Sequence, residues 1–494
     1  MRSLLCEANL KRGNMGPSLP SCLAEIKYLI EQNREEWLKE YYTFLSFPSI
    51  SSETHFQVSL LNCANWVVDY LKTLGFEVEL WPTEQDGPPV IYATHLKAGA
   101  DKPTLLIYNH YDVQPADPLN EWKTDPFQPS LRDGSVYARG AQDNKGQCFY
   151  VLQALKFYLK QYSRLPINIK LCIEGEEEIG SAGLSRLLPT KAEALKADYL
   201  AVVDLGLRDS QVPAVTLGIR GILTMDVEVQ GSDNDLHSGS HGGIAINPIH
   251  ALVAMLASLR DASGKITVNG FYDDVEEMSL EERSSVSFYF DLADYQKLTG
   301  AYPGGGEKDK TALERAWARP TLEINGINGG YTGKGFKTVI PAKASAKISC
   351  RLVSQQDPKK IGRLIEHHLN EAAPQGIQVR ITIHQGQGRA IRVSPKSQLV
   401  ASFSEAFQEV FGVPCEFIFE GASIPIVPEL GMACGGEVIL IGLGLTTDLI
   451  HAPNEHFGLD RLEKGILIIA RAIELLAQHP KDKRLEKCSK SLSL

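Results

Sequence analysis

The chain has no apolar run that approaches the length of about 20 residues that a membrane-crossing helix needs. Its longest apolar stretches, Glu437–Leu445 and Gly465–Ala470, suit buried strands or helix cores. It has no basic excess either: 50 Lys and Arg face 60 Asp and Glu, a formal charge of −10. Nucleic acid calls for a basic face, so no nucleic-acid partner is expected. Cysteines are few and scattered, at Cys6, Cys22, Cys63, Cys148, Cys172, Cys350, Cys415, Cys434 and Cys488. Their odd number and the lack of any CxxC pair exclude a disulfide framework and a thiolate zinc site. Free thiols in a cytoplasmic protein are the expectation. The opening MRSLLCEANLKRGN has too short an apolar stretch for a secretory signal. Repeats and low-complexity tracts are also missing.

What is there is a 494-residue globular composition, 43% hydrophobic and 22% charged, enough for a sizeable core. Helical spacing runs over Leu23–Leu45 and Asn62–Thr73. Val78–Trp81, Val90–Thr94, Thr104–Tyr108, Ile167–Ile173 and Tyr199–Val203 read as strands. TLLIY (104–108) is a continuous apolar run of the kind buried on both faces. Lys145–Tyr162 is strongly helical, and another helix starts at Gly183. Strands alternating with helices predict an α/β domain with a largely parallel sheet flanked by helices.

The pattern changes near Pro213. Leu223–Val229 and Ala344–Leu352 alternate with period two. Pro248–Leu259 and Ile361–Leu369 read as helices, the first plainly amphipathic, and Ile377–Ile383 as a further strand. This predicts a compact α+β unit inserted over 214–391. The α/β signature then resumes with a helix over Ser397–Phe411, a strand at Val438–Ile441 and a last helix over Leu462–Gln478. The larger domain is therefore expected to comprise 21–213 and 392–480. Residues 1–20 and 481–494 are expected to be disordered tails.

The informative residues are acids and histidines at strand ends, where open α/β sheets bind ligands. TLLIY runs into Asn109-His110-Tyr111-Asp112. In an extended segment i and i+2 share a side, so Asp112 can orient the His110 imidazole. Asp143 lies in a glycine-flanked loop before a long helix. EGEEEIGS (174–181) follows a strand, and a cluster of like charges calls for cations. Asp204 ends YLAVV, and His451 follows a late strand. Singly each has an ordinary explanation: a turn cap, a solvated face, a surface histidine. Jointly, carboxylates and imidazoles at several strand ends of one domain suit zinc, manganese or cobalt. Several carboxylates in one site suit two metals activating a shared water.

The stretch IYNHYDVQPADPLNEWKTDPFQPSLRDGSVYARGAQDNKGQ (107–147) resembles the M20 family of di-metal peptidases and deacylases, in particular its dipeptidase branch. EGEEEIGSAGL, DLHSGSHGG, TVIPAKASAKISCRLV, EGASIPI and HAPNE continue the match in order, from about Ile26 to Leu475. The resemblance implies a zinc-peptidase-like catalytic domain carrying a ferredoxin-like lid through which two copies dimerise. It implies two divalent cations, zinc by default with manganese or cobalt as alternatives. Asp143 would bridge them, His110 and Asp204 would complete one site, and Glu178 and His451 the other. Glu177 would be the general base and Asp112 the partner of His110. The peptide bond Asp143–Asn144 is expected to be cis. His237 would reach the neighbouring subunit's site and polarise the scissile carbonyl. Arg351 would clamp a substrate carboxylate, Thr338 and Ser423 would hold the peptide backbone, and Glu420 would meet a free amino terminus. The match departs at VSPKS (393–397), where carnosine-cleaving members carry a His-rich segment. The expected activity is hydrolysis of dipeptides or short peptides with a free carboxylate. An N-acyl-amino-acid deacylase is the alternative on the same chemistry. A non-catalytic scaffold would need a ligand or the base to be missing, and every expected position is filled.

Overall fold

The structure, a computed structural model, describes residues 21–84, 87–384 and 386–479. The expected tails, 1–20 and 481–494, and residue 480 at the end of the larger domain lie outside the described residues. The helical stretch expected over Leu23–Leu45 is two helices, Ser21–Gln32 and Arg34–Leu45. The break falls at Asn33, whose side-chain amide donates to the Leu29 carbonyl at 2.6 Å. Such local side-chain bonds compete with the helical ladder.

A nine-stranded mixed sheet carries the larger core. At its centre Asn168–Glu174, Thr104–His110, Tyr199–Val203 and Glu437–Ile441 lie side by side and parallel. Val90–His95 and Glu77–Trp81 extend one edge antiparallel. On the other, Ala214–Ile219 pairs with Glu437–Ile441, and Ile391–Arg392 and Glu416–Glu420 pair with it in turn. The central strands are buried almost throughout, so their sequences run apolar without alternation. Helices Lys145–Tyr162, Gln398–Phe411 and Leu459–Leu476 pack on one another beside the sheet.

A second, antiparallel sheet has the order Thr321–Gly329, Lys343–Leu352, Gly221–Gln230, Gln378–Ile383. Helices Pro248–Ala257 and Pro358–Ala372 bury one of its faces in a core of its own. Gly221–Gln230 alternates buried and half-buried residues, as its period of two requires. With its helices the sheet has the expected ferredoxin-like arrangement. Sheet membership divides the chain later than the expected 213/214: Ala214–Ile219 is hydrogen-bonded into the nine-stranded sheet, and the second sheet begins at Gly221. The run LTMDVEV alternates, whereas AVTLGI is buried on both faces, and that difference marks the change of sheet.

From the sequence alone no helix is assigned between 260 and 320. Three short ones occur, Leu280–Ser285, Leu292–Thr299 and Ala312–Trp317. Their start signals are local: Ser279 with Glu282 and Thr311 with Glu314 form reciprocal capping boxes.

Gly146, in the first turn of Lys145–Tyr162, is held by close packing. A Cβ there would lie 1.9 Å from the Ala141 carbonyl oxygen. That carbonyl also accepts from the Tyr41 hydroxyl at 2.5 Å. Ala normally favours a helix over Gly by roughly 1 kcal/mol; here the backbone overlap reverses the sign. Gly146→Ala is expected to lower stability by about 1–3 kcal/mol in urea unfolding. An unchanged or higher midpoint would contradict the packing of this loop.

Candidate metal centre

The site is assembled at the carboxyl ends of the parallel strands. His110 is the last residue of Thr104–His110 and is fully buried. The neighbouring strand Asn168–Glu174 leads into the turn carrying Glu177 and Glu178. Tyr199–Val203 leads directly to Asp204. His451 belongs to the loop beyond Glu437–Ile441. Asp143 sits in the loop before Lys145–Tyr162, and its peptide bond to Asn144 is cis, as expected.

Asp143 lies between two imidazoles. Its Oδ1 is 3.3 Å from His110 Nε2 and its Oδ2 is 2.9 Å from His451 Nε2. His110 Nε2 is also 3.5 Å from Asp204 Oδ1, and His451 Nε2 is 3.3 Å from Glu178 Oε2. Two groups able to hold a cation result, His110–Asp143–Asp204 and Asp143–Glu178–His451, with Asp143 common to both. Glu177 Oε2 stands 4.0 Å from His110 Nε2, beside both groups.

The residues fit cations. His110 Nε2 and Glu178 Oε1 are buried and lack a hydrogen-bond partner, which is costly unless something else binds them. Oxygen and imidazole donors without sulfur suit zinc, manganese or cobalt.

The candidate ligands are held from behind. The Asp112 carboxylate is 3.2 Å from His110 Nδ1 and also accepts the backbone N–H groups of Glu177 and Glu178, at 3.2 and 3.1 Å. It thus fixes the imidazole and the glutamate turn together. The Asn144 side chain donates to Asp204 Oδ1 and to the Val203 carbonyl, and accepts from Asn109 at 2.7 Å. Gln114 donates to Glu178 Oε2 at 2.8 Å. Leu449, His451 and Asn454 all have left-handed φ, of 58°, 59° and 66°. Non-glycine residues adopt this conformation at a cost, and it concentrates at functional loops.

Charge explains the protonation of the cluster. Burial pushes the carboxyls of Glu177, Glu178 and Asp204 up, and neighbouring acids add to it. Burial also acts on Asp143, but the imidazoles of His110 and His451 beside it outweigh it and hold that carboxyl low. For His110, burial opposes the charge, yet Asp204, Asp112 and Asp143 prevail and raise its pKa. Hydrogen bonds to Asp143 and Glu178 push His451 up to about 10.

The residues expected to touch substrate form two other groups. Arg351 donates to Ser423 Oγ at 2.7 Å. Glu420 accepts the backbone N–H groups of Gly421 and Ala422 at the start of the same loop, at 2.7 and 3.2 Å. His237 pairs with Val339 in a short ladder, next to the exposed Thr338. His237 Nδ1 accepts from the Gly239 N–H at 3.1 Å. Among the described residues, no hydrogen bond or ion pair joins either group to the acid–imidazole cluster.

One residue escapes a reading of the sequence. Glu455, the last of HAPNE, is fully buried, and its carboxylate accepts from Arg139, Gly140, Gln142 and Asp143. The motif is visible in the sequence, but not what its last residue touches.

The sequence profile of peptidase family M20/M25/M40 matches residues 106–475. The chain belongs to this family. It is 31% identical over 473 residues to the Cys-Gly metallodipeptidase dug1 of Schizosaccharomyces pombe, covering 92% of this chain and 98% of that one. It is 32% identical over 489 residues to the human Beta-Ala-His dipeptidase, covering 95% and 96%. Among solved structures, the M20 family metallo-carboxypeptidase Sso-CP2 of Sulfolobus solfataricus superposes with a TM-score of 0.80 at 35% identity, covering 90% of this chain and all of that one. In this M20 chain both cation-binding groups draw on the parallel strand ends that the family profile spans.

Cation binding and protonation therefore compete. Ligands bind metal deprotonated, while the metal-free cluster retains protons on raised carboxyls and on His451, whose pKa is about 10. Binding is expected to release protons and to tighten between pH 6 and 9, by about tenfold per pH unit for each proton displaced. Calorimetry of Zn²⁺ binding in buffers of different ionisation enthalpy measures this. Binding without proton release and with flat pH dependence would contradict this protonation of the cluster.

Proposed function

We propose that the chain is a metal-dependent dipeptidase, which hydrolyses the amide bond of dipeptides or short peptides with a free C-terminal carboxylate. One observation carries the reading: two cation-binding groups share Asp143, with Glu177 beside both. The named relatives point the same way, as metallodipeptidases and a dipeptidase.

His110, Asp143 and Asp204 would hold one cation, and Asp143, Glu178 and His451 the other. Bound there, the pair supplies an activated water and polarises the amide carbonyl. Zinc is the first choice, with manganese or cobalt next. Glu177 takes the proton of the attacking water at its carboxylate and returns it to the leaving amine. Its burial, which favours the protonated form, suits that return. Asp112 keeps His110 in one tautomer and orientation. Arg351, oriented by Ser423, meets the substrate carboxylate with paired N–H donors. Thr338 and Ser423 hold the peptide backbone, and Glu420 faces the free amino terminus.

A homodimer is part of this proposal, and its support is that His237 and Thr338 are exposed and, among the described residues, not hydrogen-bonded to the cluster of their own chain. His237 Nε2, with no hydrogen bond among the described residues, would stabilise the oxyanion in the partner's site. The second copy would cover the edge strand Thr321–Gly329, whose Ile324 and Ile327 are exposed. An uncovered edge beside apolar side chains calls for a partner. The described cysteines are all free thiols, which suits a cytoplasmic location.

The decisive assay compares free dipeptides with their N-acetyl and N-succinyl counterparts on zinc- and manganese-loaded protein. Free dipeptides are expected to be cleaved; cleavage of the acylated set alone would make the chain a deacylase. Glu177→Gln is expected to lower kcat by at least about 100-fold with metal content unchanged. Arg351→Met is expected to raise KM about 10- to 100-fold for substrates with a free carboxylate and to leave C-terminally amidated ones unaffected. Equal effects on both would remove Arg351 from carboxylate recognition.

A further inference from the structure

The segment that brings His451 to Asp143 comes from a point 308 residues later in the chain. Its backbone is laddered to the strand before the Asp143 loop, His456–Gly458 against Ser135–Tyr137, and beyond that ladder one side chain bonds the loop itself. Glu455 Oε2 accepts from Arg139 Nη1 at 2.8 Å and from the Gly140 N–H at 2.9 Å. Glu455 Oε1 accepts from the N–H groups of Gln142 and Asp143, at 2.9 and 3.0 Å. The Glu455 carbonyl accepts from the Ala138 N–H at 3.1 Å. A buried carboxylate with donors on both oxygens and a guanidinium partner is held in one geometry. Arg139 is itself fixed by the Pro115 carbonyl at 2.9 Å.

The two cation-binding groups differ in their dependence on this contact. The side made by His110 and Asp204 is tied to the loop independently, through Asn144, which bonds Asp204 and the Val203 carbonyl. Among the described residues, no hydrogen bond other than that between His451 and Asp143 ties Glu178 or His451 to this loop. His451 reaches Asp143 from a loop with left-handed residues, whose other anchors bond residues outside 139–143. Asp448 pairs with Arg461, and Asn454 bonds Lys123 and Glu121.

We infer that Glu455 is a positioning residue, which clamps the His451 loop to the Asp143 loop and thereby sets the affinity of the Glu178–His451 cation site selectively. The inference rests on the two-cation reading above. Glu455 touches neither substrate nor cation; it acts through the backbone of Asp143 and through the placement of His451. A Gln in its place offers one acceptor oxygen and turns an N–H₂ toward backbone N–H groups.

The test is equilibrium dialysis of the full chain against Zn²⁺, with bound metal counted by atomic absorption and folding checked by circular dichroism. The unaltered chain is expected to bind two Zn²⁺ per subunit, the second weakened at least tenfold in Glu455→Gln while the first is retained. Because Arg139 would be left buried without its partner, the paired change Arg139→Met with Glu455→Gln is measured alongside. It removes both charges and is expected to give the same loss of the second ion. Two ions bound with unaltered affinity in a folded variant would overturn the clamp, and so would equal weakening of both. Fewer than two ions in the unaltered chain would instead overturn the two-cation reading. Those failures are therefore distinguishable.

Discussion

The carboxylates of Asp112, Asp143, Glu177, Glu178 and Asp204 meet around two imidazoles in a largely buried space, and they cannot all be ionised there without positive charge. The rest of the site follows from that constraint. Around His110 and His451 the acids favour the protonated imidazole, against the burial that opposes it, and so raise both pKa values. Cations bound there would replace protons and take the imidazoles as ligands. The repulsion that opposes folding in the metal-free chain becomes affinity once the cations are present.

Such a cluster needs a rigid frame, and the parallel strands provide it. Adjacent strands end side by side, so residues just beyond their carboxyl ends converge although they are remote in sequence. The frame alone does not aim the side chains. Asp112 does that for His110 and the glutamate turn, and Asn144 for Asp204. These contacts remove rotational freedom that the metal would otherwise have to restrict on binding.

Much of this is legible in the sequence, because strand-end residues betray themselves. A continuous apolar run followed by His-x-Asp, or by a glutamate cluster, marks both a buried parallel strand and its functional end. Arg351 and Ser423 are separated by 72 positions, and only motif order suggests that they meet. The contacts of Glu455 are not legible, since a glutamate in HAPNE carries no local sign that backbone N–H groups from residue 140 onward will bond it. The strand Ala214–Ile219 falls to the inserted unit on sequence alone, since a pairing partner is a tertiary choice that a short apolar run does not disclose. The short helices between 280 and 317 lack the length at which periodicity speaks, and only their caps announce them: boxes at Ser279 and Thr311, and Asp291 accepting from the Asp294 N–H.

The central claim is that one carboxylate, Asp143, is shared by two cations. Anomalous diffraction at the zinc edge from zinc-loaded crystals tests it most directly. Two peaks per subunit are predicted to flank Asp143, about 3.5–4 Å apart, one against His110 and Asp204 and the other against Glu178 and His451. A single peak, or two peaks that do not share Asp143, would contradict the claim.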